Sequence, residues 1–476
     1  MTGPAVDAAV VGSGPNGLSA AVELARNGVS VLVLEGADEI GGGTRTAELT
    51  LPGYAHDICS GAHPLGSLSP FLSTLPLGDH GLEWVRGSAS VAHPLDGEPA
   101  VIVRRSIVET AQGLGPDATA YRGLLGPLAG SPERLMDDLL RPLLHVPRHP
   151  LLLARFGVPA LAPAALLART VFRGRRARAV FAGCAAHSIL RFDAPISSAA
   201  GLVLLTIAHA GNWPVVRGGS AAITRALAAY LESLGGRIET GRRVTSLDDI
   251  PPSRIVLFDT SPAQLSDIAA QALPDGFARR LRKFRYGPGI FKLDWALDGP
   301  IPWTDPRCRD ASTVHLGGTL EEIAGAERAV WRGEHPQRPF VLMVQQSELD
   351  SSRAPAGKHT GYAYCHVPAR SSADLTDAVE RQVERFAPGF RDRILARHAM
   401  RPADLERHNP NCVGGAIGGG VMDAAQLLMR PTPRLDPYST GNPRLYLCSA
   451  STPPGGGVHG MCGYWAARSA LRRLGR

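Results

Sequence analysis

VDAAVVGSGPNGLSAAVELARNGVSVLVLEGADEIGGGTRT, residues 6–46, is the stretch whose reading decides the fold. Val6–Val11 is an apolar run of strand type that ends in Gly12, Gly14 and Gly17, the spacing of a GxGxxG turn. Glycine is needed there because missing side chains let backbone N–H groups close on a pyrophosphate at a helix N-terminus. Pro15 and Asn16 open that helix, which the pattern carries to about Asn27, with Gly28 placed to stop it. Residues 30–34 read as the next parallel strand and deliver Glu35 at the spacing of an acid that hydrogen-bonds a ribose hydroxyl. Glutamate at that point favours an unphosphorylated adenosine. Both strands, the helix and the acid stand in order, which separates this turn from a chance trio of glycines.

Gly41, Gly42, Gly43, Thr44 and Arg45 follow closely, and such a turn places further amides and a guanidinium against the same diphosphate. This extension resembles the flavoprotein version of the motif found in amine oxidases and carotenoid desaturases, and it points to FAD rather than NAD. The far end of the chain supplies a second unit of the same kind. NPRLYLCSASTPPGGGVHGMCGYWAARSAL, residues 442–471, reads as a short strand at 445–448, a glycine turn at 455–457 and an alanine-rich helix from Gly463.

Taken with HNPNCVGGAIGGG at 408–420, the two ends resemble the phytoene desaturase-like FAD-dependent oxidoreductases, over nearly the whole chain. The resemblance implies an α/β protein in which a Rossmann-type FAD-binding domain is interleaved with a mixed-sheet α+β substrate domain. FAD-binding segments are expected at 1–75, 215–275 and 416–476. Substrate segments are expected at 76–214, with a Leu-rich helical lid, and at 276–415. By the same resemblance the C-terminal loop returns to cover the ribityl chain and isoalloxazine, through Ser449, Gly455, Gly456, Gly457 and Val458, and Val244 sits beside the adenine. Ser449 stands where many relatives have glycine. Within this frame 221–234 reads as an amphipathic helix followed by two short strands, and 255–259 as a further strand of the nucleotide domain, ending in Asp259. Residues 340–345 and 362–367 read as strands of the substrate sheet.

Composition narrows the function classes. A chain of 476 residues suits two intermixed domains. Seven cysteines without a CxxC pair suit reduced thiols in a cytoplasmic setting and exclude a disulphide reductase built on two cysteines adjacent in sequence. Cys448 and Cys462 read as core thiols. The dinucleotide strand begins almost at once, so no secretory signal is expected. The most apolar stretch, 156–168, is short and interrupted by Pro159 and Pro163, so no membrane span is expected either. The leucine-rich region 135–172 leads into Arg169, Arg173, Arg175, Arg176 and Arg178, which read as the solvated face of a lid or as a peripheral contact with an anionic membrane. A net charge of +7 with scattered basic residues does not indicate nucleic acid. QGLGPDATA, 112–120, imitates a GxGxxA but lacks a buried strand before it, and reads as a loop and helix cap. With no second dinucleotide site, an external acceptor, oxygen or a quinone, is expected to reoxidise the flavin. No metal-binding spacing and no GxSxG elbow is present in the sequence.

The candidate chemistry sits in two places. In YGPGIFKLDWALDGPIPW, 286–303, Phe291, Leu293, Trp295 and Leu297 alternate with Lys292, Asp294 and Ala296, so a polar strand face meets either solvent or the cofactor. The segment is similar to the flavin amine oxidase strand that bears a lysine near flavin N5, with a tryptophan about ten residues later, which matches Lys292 and Trp303. His459, after the C-terminal glycines, and His63, in CSGAHPL, are the other candidates to pass a proton or hydrogen-bond the ring. The expected reaction is hydride transfer from a hydrophobic substrate, isoprenoid, carotenoid or lipid-like, to flavin N5, forming or shifting a C=C bond. An amine oxidase, or a flavoprotein scaffold without catalysis, is the alternative.

Overall fold

In the computed structural model, which describes residues 6–211 and 213–476, Val6–Val11 is the centre of a five-stranded parallel sheet. The strand order is Leu445–Leu447, Ser253–Phe258, Val6–Val11, Val31–Leu34 and Arg237–Glu239. Val10 pairs with Leu257 on one side and Val33 on the other. Ala8 and Val10 enter one hydrophobic cluster while Ala9 and Val11 enter another, so both faces are buried, and this is why the strand reads as a continuous apolar run. The turn leads into the helix Pro15–Arg26, on which the C-terminal helix Met461–Leu474 lies. Their approach depends on Gly463: a Cβ there would stand 1.8 Å from the carbonyl oxygen of Asn16. The last segment of the chain thus returns to the first.

After the helix Ala221–Ser233 only one of the two expected strands forms, Arg237–Glu239. The residues that follow turn away at Gly241, whose φ is +65°, and the Asp249 carboxylate then gathers the N–H groups of Thr245 and Ser246 into a cap instead of a ladder.

A seven-stranded mixed sheet forms the second layer, in the order Ile394–Met400, Gly289–Leu297, His359–Val367, Val341–Val344, Ala311–Leu316, Ala89–Leu95 and Glu98–Arg104. Its pairs are antiparallel except for Ala311–Leu316 against Ala89–Leu95. Helices Pro132–Leu139, Pro150–Ala160, Ala164–Val171, Arg175–Ala185 and Ser198–Gly211 form a lid beside it. The chain bends by 102° between Pro150–Ala160 and Ala164–Val171, and among the described residues no single helix is long and apolar enough to cross a membrane. Gly115–Asp117 is a 3-10 turn between helices, where the Asp117 carboxylate accepts the N–H groups of Arg173 and Gly174, in keeping with the loop reading.

The arginines after the lid are largely engaged: Arg169 pairs with Glu321, Arg175 and Arg176 with Glu98, and Arg178 donates to the Phe172 carbonyl. The exposed feature of this region is apolar instead. Leu143, Leu144, Val146, Leu151, Val158, Leu161 and Leu166 all face outward.

Candidate active site

One cavity of about 950 Å³ touches both sheets and the lid. Its first part is walled by backbone. Gly12 has φ +101°, and a Cβ there would lie 2.9 Å from the Asp259 carbonyl oxygen. Gly42 faces Gly14 so closely that its Cβ would stand 3.2 Å from the Gly14 Cα, and a Cβ on Gly456 would stand 2.6 Å from the Gly418 oxygen. Main chain from four parts of the sequence therefore lies around this cavity, packed too closely at Gly12, Gly42 and Gly456 to bear side chains. Gly14, before the helix, has no side chain to cap it; of the first-turn amides that of Gly17 is taken by Asp259 Oδ2, and the buried Asn16 Oδ1 has no partner. A helix N-terminus facing a glycine-lined space suits a diphosphate, and these residues fit a dinucleotide.

The expected residues Gly12, Gly14, Pro15, Asn16, Glu35, Gly42, Gly43, Thr44, Arg45, Val244, Ser449, Gly456, Gly457 and Val458 all line this cavity. Gly17 does not. It packs behind the wall, its Cβ position 2.1 Å from the Gly12 oxygen, and its N–H is taken by Asp259 Oδ2 at 2.9 Å. Gly455 also lies off the lining, against Met422 and Arg430. Glu35 Oε2 accepts from the Ser13 amide at 2.9 Å and its hydroxyl at 2.5 Å, which anchors the acid at the strand end. Arg45 donates to the Glu39 carbonyl at 2.7 Å, reaches that of His408 at 3.3 Å and pairs with Glu35 at 3.4 Å, so its guanidinium ties two loops together. Asp259, read in the sequence as an ordinary strand end, is buried at the glycine turn; burial, with Glu35 nearby, pushes its pKa up to about 7.

His63 and His459 both line the next part of the cavity. The Ser220 hydroxyl donates to the Ser60 carbonyl at 2.5 Å, so the 2.8 Å contact between Ser220 Oγ and His63 Nε2 is made with the proton on His63. His459 Nδ1 accepts the Met461 N–H at 3.0 Å, which leaves its proton on Nε2. Burial lowers both imidazoles to about 4, so both are neutral at pH 7. The His459 N–H is engaged by the Gly455 and Gly456 backbone, whereas His63 has a second nitrogen only weakly engaged, by Ser60 at 3.5 Å.

Lys292 meets neither solvent nor the cavity lining. It is fully buried, ion-paired with Asp294, with its ammonium 4.4 Å from the centre of the Tyr362 ring, and Tyr362 does line the cavity. Asp294 also stands 3.7 Å from His56, which burial holds near pKa 4. The polar strand face therefore meets a second buried layer, a choice that alternation alone did not contain. Trp303 belongs to the core of the mixed sheet, where its indole N–H donates to Gln345 Oε1 at 2.7 Å, and it is not part of the site.

Two cysteines far apart in the chain, Cys59 and Cys412, also line the cavity, and a thiol–thiol hydrogen bond between them lowers the pKa of Cys59 and raises that of Cys412. All seven cysteines are free thiols. Excluding pairs by sequence spacing missed this neighbour relation, as did the reading of His187, Trp213, Thr313, Leu342, Val344 and Tyr364, which line the remaining part with the lid residues Leu143, Leu153, Phe156 and Leu161. These come from separate strands and helices, and no local pattern connects them. The only carboxylates on the cavity wall, among the described residues, are Glu35 and Asp259, both at the glycine turn.

Residues 10–72 match the model of the NAD(P)-binding Rossmann-like domain. The chain is 28% identical to pyridine nucleotide-disulfide oxidoreductase domain-containing protein 2 of Mus musculus and of Rattus norvegicus, over 99% of this chain and 94% of theirs. The chain thus has a Rossmann-like segment and is similar along nearly its whole length to an oxidoreductase domain-containing protein. Its fold is shared by an oxidoreductase from Methanosarcina mazei, at 16% identity over 98% of this chain and 100% of the other, with a TM-score of 0.67. It is shared as well by putrescine oxidase bound to putrescine, at 16% identity over 99% and 100% of the two chains, with a TM-score of 0.64. An α/β architecture with one parallel and one mixed sheet, read from the glycine motifs at the two ends, is what the chain adopts.

Proposed function

We propose that the protein binds FAD without a covalent link and oxidises an uncharged, largely apolar substrate by hydride transfer, with oxygen or a quinone as the final acceptor. When bound, the flavin supplies the hydride-accepting centre. The chain's own residues do the rest. Backbone amides of the glycine turn and the helix N-terminus hold the diphosphate, and Glu35 and Val244 flank the adenosine end. His63 and His459 are neutral, so they orient or pass a proton without bringing a charge into the site. Lid side chains exclude water from the reacting carbon.

The observation that carries this reading is the distribution of charge on the cavity wall. Beyond the glycine turn, among the described residues, the wall carries no carboxylate to pair with an ammonium, and its charged side chains, Arg45, Arg141, Arg242, Arg243 and Arg407, are all cationic. A charged amine would be desolvated there without a partner, which costs several kcal/mol. That argues against an amine substrate despite the fold shared with putrescine oxidase. The outward leucines of the same lid that walls the cavity support a lipid surface as the source of substrate. Anaerobic addition of apolar candidates and of amines to the purified yellow protein tests the proposal: bleaching by an uncharged apolar compound supports it, and bleaching by amines alone overturns it.

A further inference from the structure

Two thiols from distant segments meet on the cavity wall. Cys59 lies in the loop after the strand Ala55–Asp57 and Cys412 in the turn after the helix Pro402–His408, so neither is fixed in a ladder or a helix. Both segments pack about Gly43: a Cβ there would lie 3.9 Å from Cys59 Sγ and 3.8 Å from Asn409 Nδ2, and the Cys412 N–H donates to the Asn409 carbonyl at 2.8 Å. Cys412 also shares a small apolar cluster with Ile58, the neighbour of Cys59. The two sulphurs are in hydrogen-bond contact. Beyond Cys59, the Tyr362 hydroxyl donates to its carbonyl oxygen at 2.5 Å, and the Lys292 ammonium stands 4.4 Å from the centre of the Tyr362 ring.

The two thiols are unequal. The contact with Cys412 holds Cys59 below the usual thiol range, against the opposing effect of burial, and the Lys292 charge acts in the same direction. The same contact and burial push Cys412 well above that range. Burial also raises Cys184, Cys308, Cys365, Cys448 and Cys462. A thiolate is the reactive form, so Cys59 is the nucleophile of the set and Cys412 a neighbour that keeps its proton.

We propose that Cys59 and Cys412 are a redox-active dithiol, which hydrogen peroxide entering the cavity converts to a disulphide. Both residues line the cavity, so a small uncharged oxidant reaches them from it. The Cys59 thiolate attacks one peroxide oxygen, the O–O bond breaks, and the departing hydroxide takes up the proton that Cys59 released, leaving a sulphenic acid and one water. The Cys412 sulphur then attacks the Cys59 sulphur; the S–S bond forms, the S–O bond breaks, and the hydroxyl leaves as a second water with the Cys412 proton. Two thiols lose two electrons and one peroxide gains them. The loops that carry the thiols are free of regular structure, which lets the sulphurs close to the bonding distance of about 2.05 Å. Oxygen that accepts the electrons of a hydride oxidation becomes this same oxidant, but the pair itself requires no flavin.

The test exposes the whole purified protein to hydrogen peroxide beside a parallel sample of free cysteine at the same pH, blocks the remaining thiols by alkylation, and maps peptides by mass spectrometry without reduction. A Cys59–Cys412 cross-link should form before half of the free cysteine has reacted, with the other five thiols alkylated, and dithiothreitol should restore all seven. In Cys412→Ser, Cys59 should stop at the sulphenic acid, trapped with dimedone. In Cys59→Ser, Cys412 should react at least about tenfold more slowly than Cys59 does in the wild type. Cys59 and Cys412 still reduced when the free cysteine is half consumed, Cys59 oxidised without a cross-link to Cys412, or Cys412 reacting equally fast in Cys59→Ser, overturns the proposal. The wild-type map decides by itself where a variant fails to fold. Because the readout counts thiols rather than turnover, a protein that forms the cross-link but carries no flavin refutes the flavin reading alone, and a yellow protein without the cross-link refutes this one alone.

Discussion

The two ends of the cavity are built from different materials. Around Gly12, Gly14, Gly42 and Gly456 the wall is main chain, packed so that a single Cβ meets a neighbour at 2.6 to 3.2 Å. Around His187, Trp213, Tyr364 and Leu342 the wall is side chains delivered by a lid helix region and several strands. Main-chain walls cannot be altered without altering the fold, so one end is committed to one kind of ligand. The side-chain wall changes with each substitution, so the same scaffold accommodates different substrates there.

The sharpest way to break this contrast is Gly14→Val. Its Cβ would fall 2.6 Å from Asp259 Oδ2, so the side chain would displace the carboxyl that holds the Gly17 amide and distort the glycine turn. The expected outcome is colourless protein, with FAD affinity lowered more than about a hundredfold, on the scale of a lost diphosphate cradle; yellow protein at full occupancy would refute the backbone-wall account.

Next in size is Lys292→Met, between the two ends. It leaves Asp294 buried without its cation, and removing one member of a buried pair costs about 3–5 kcal/mol. Urea unfolding should show that loss, and the double variant Lys292→Met with Asp294→Leu should recover most of it. If Lys292→Met instead leaves stability intact and slows only flavin reduction or reoxidation, the lysine serves the flavin rather than the fold.

Asp259 gives a pH-dependent effect. Its folded pKa, about 7, lies above the unfolded carboxylate value, so between the two the folded state holds a proton that the unfolded state has released. Stability of the cofactor-free protein should therefore fall as pH rises from about 4 to about 7, by up to about 1.4 kcal/mol per unit, and level off above. Asp259→Asn should flatten that slope in thermal or urea melts at a series of pH values. An unchanged slope would show that other groups govern it.

The smallest expected effect on folding is on the lid. Replacing Leu144, Val146 and Leu151 together with serine should move stability by less than about 1 kcal/mol, since all three are exposed. Flotation with anionic liposomes should nevertheless drop, whereas neutralising Arg175 and Arg176, already paired with Glu98, should change it little. The reverse ranking would restore the basic cluster as the membrane contact.

How far each part was readable follows from the same contrast. The strand, turn, helix and acid of residues 6–35 lie consecutively, so their spacing carries their geometry, and the C-terminal glycine loop repeats the pattern. His63 and His459 were found because each stands beside a glycine loop with an expected place. Lys292 was singled out by alternation, yet alternation cannot tell solvent from a second buried layer, and only the packing of Asp294, His56 and Tyr362 over that face decided it. Trp303 matched a spacing and nothing else, and the fold placed it in the core.

What the sequence by itself determined about this protein is therefore the dinucleotide cradle, because there the chemistry is done by main chain whose course a few consecutive glycines dictate. The meeting of Cys59 with Cys412, the placing of Asp259 against the glycine turn, and the gathering of His93, His187 and His315 were decided only by the tertiary structure. Each depends on groups brought together from distant segments, and the direction of a hydrogen bond or the charge of a buried group is set by its neighbours in space, which the order of residues along the chain does not record.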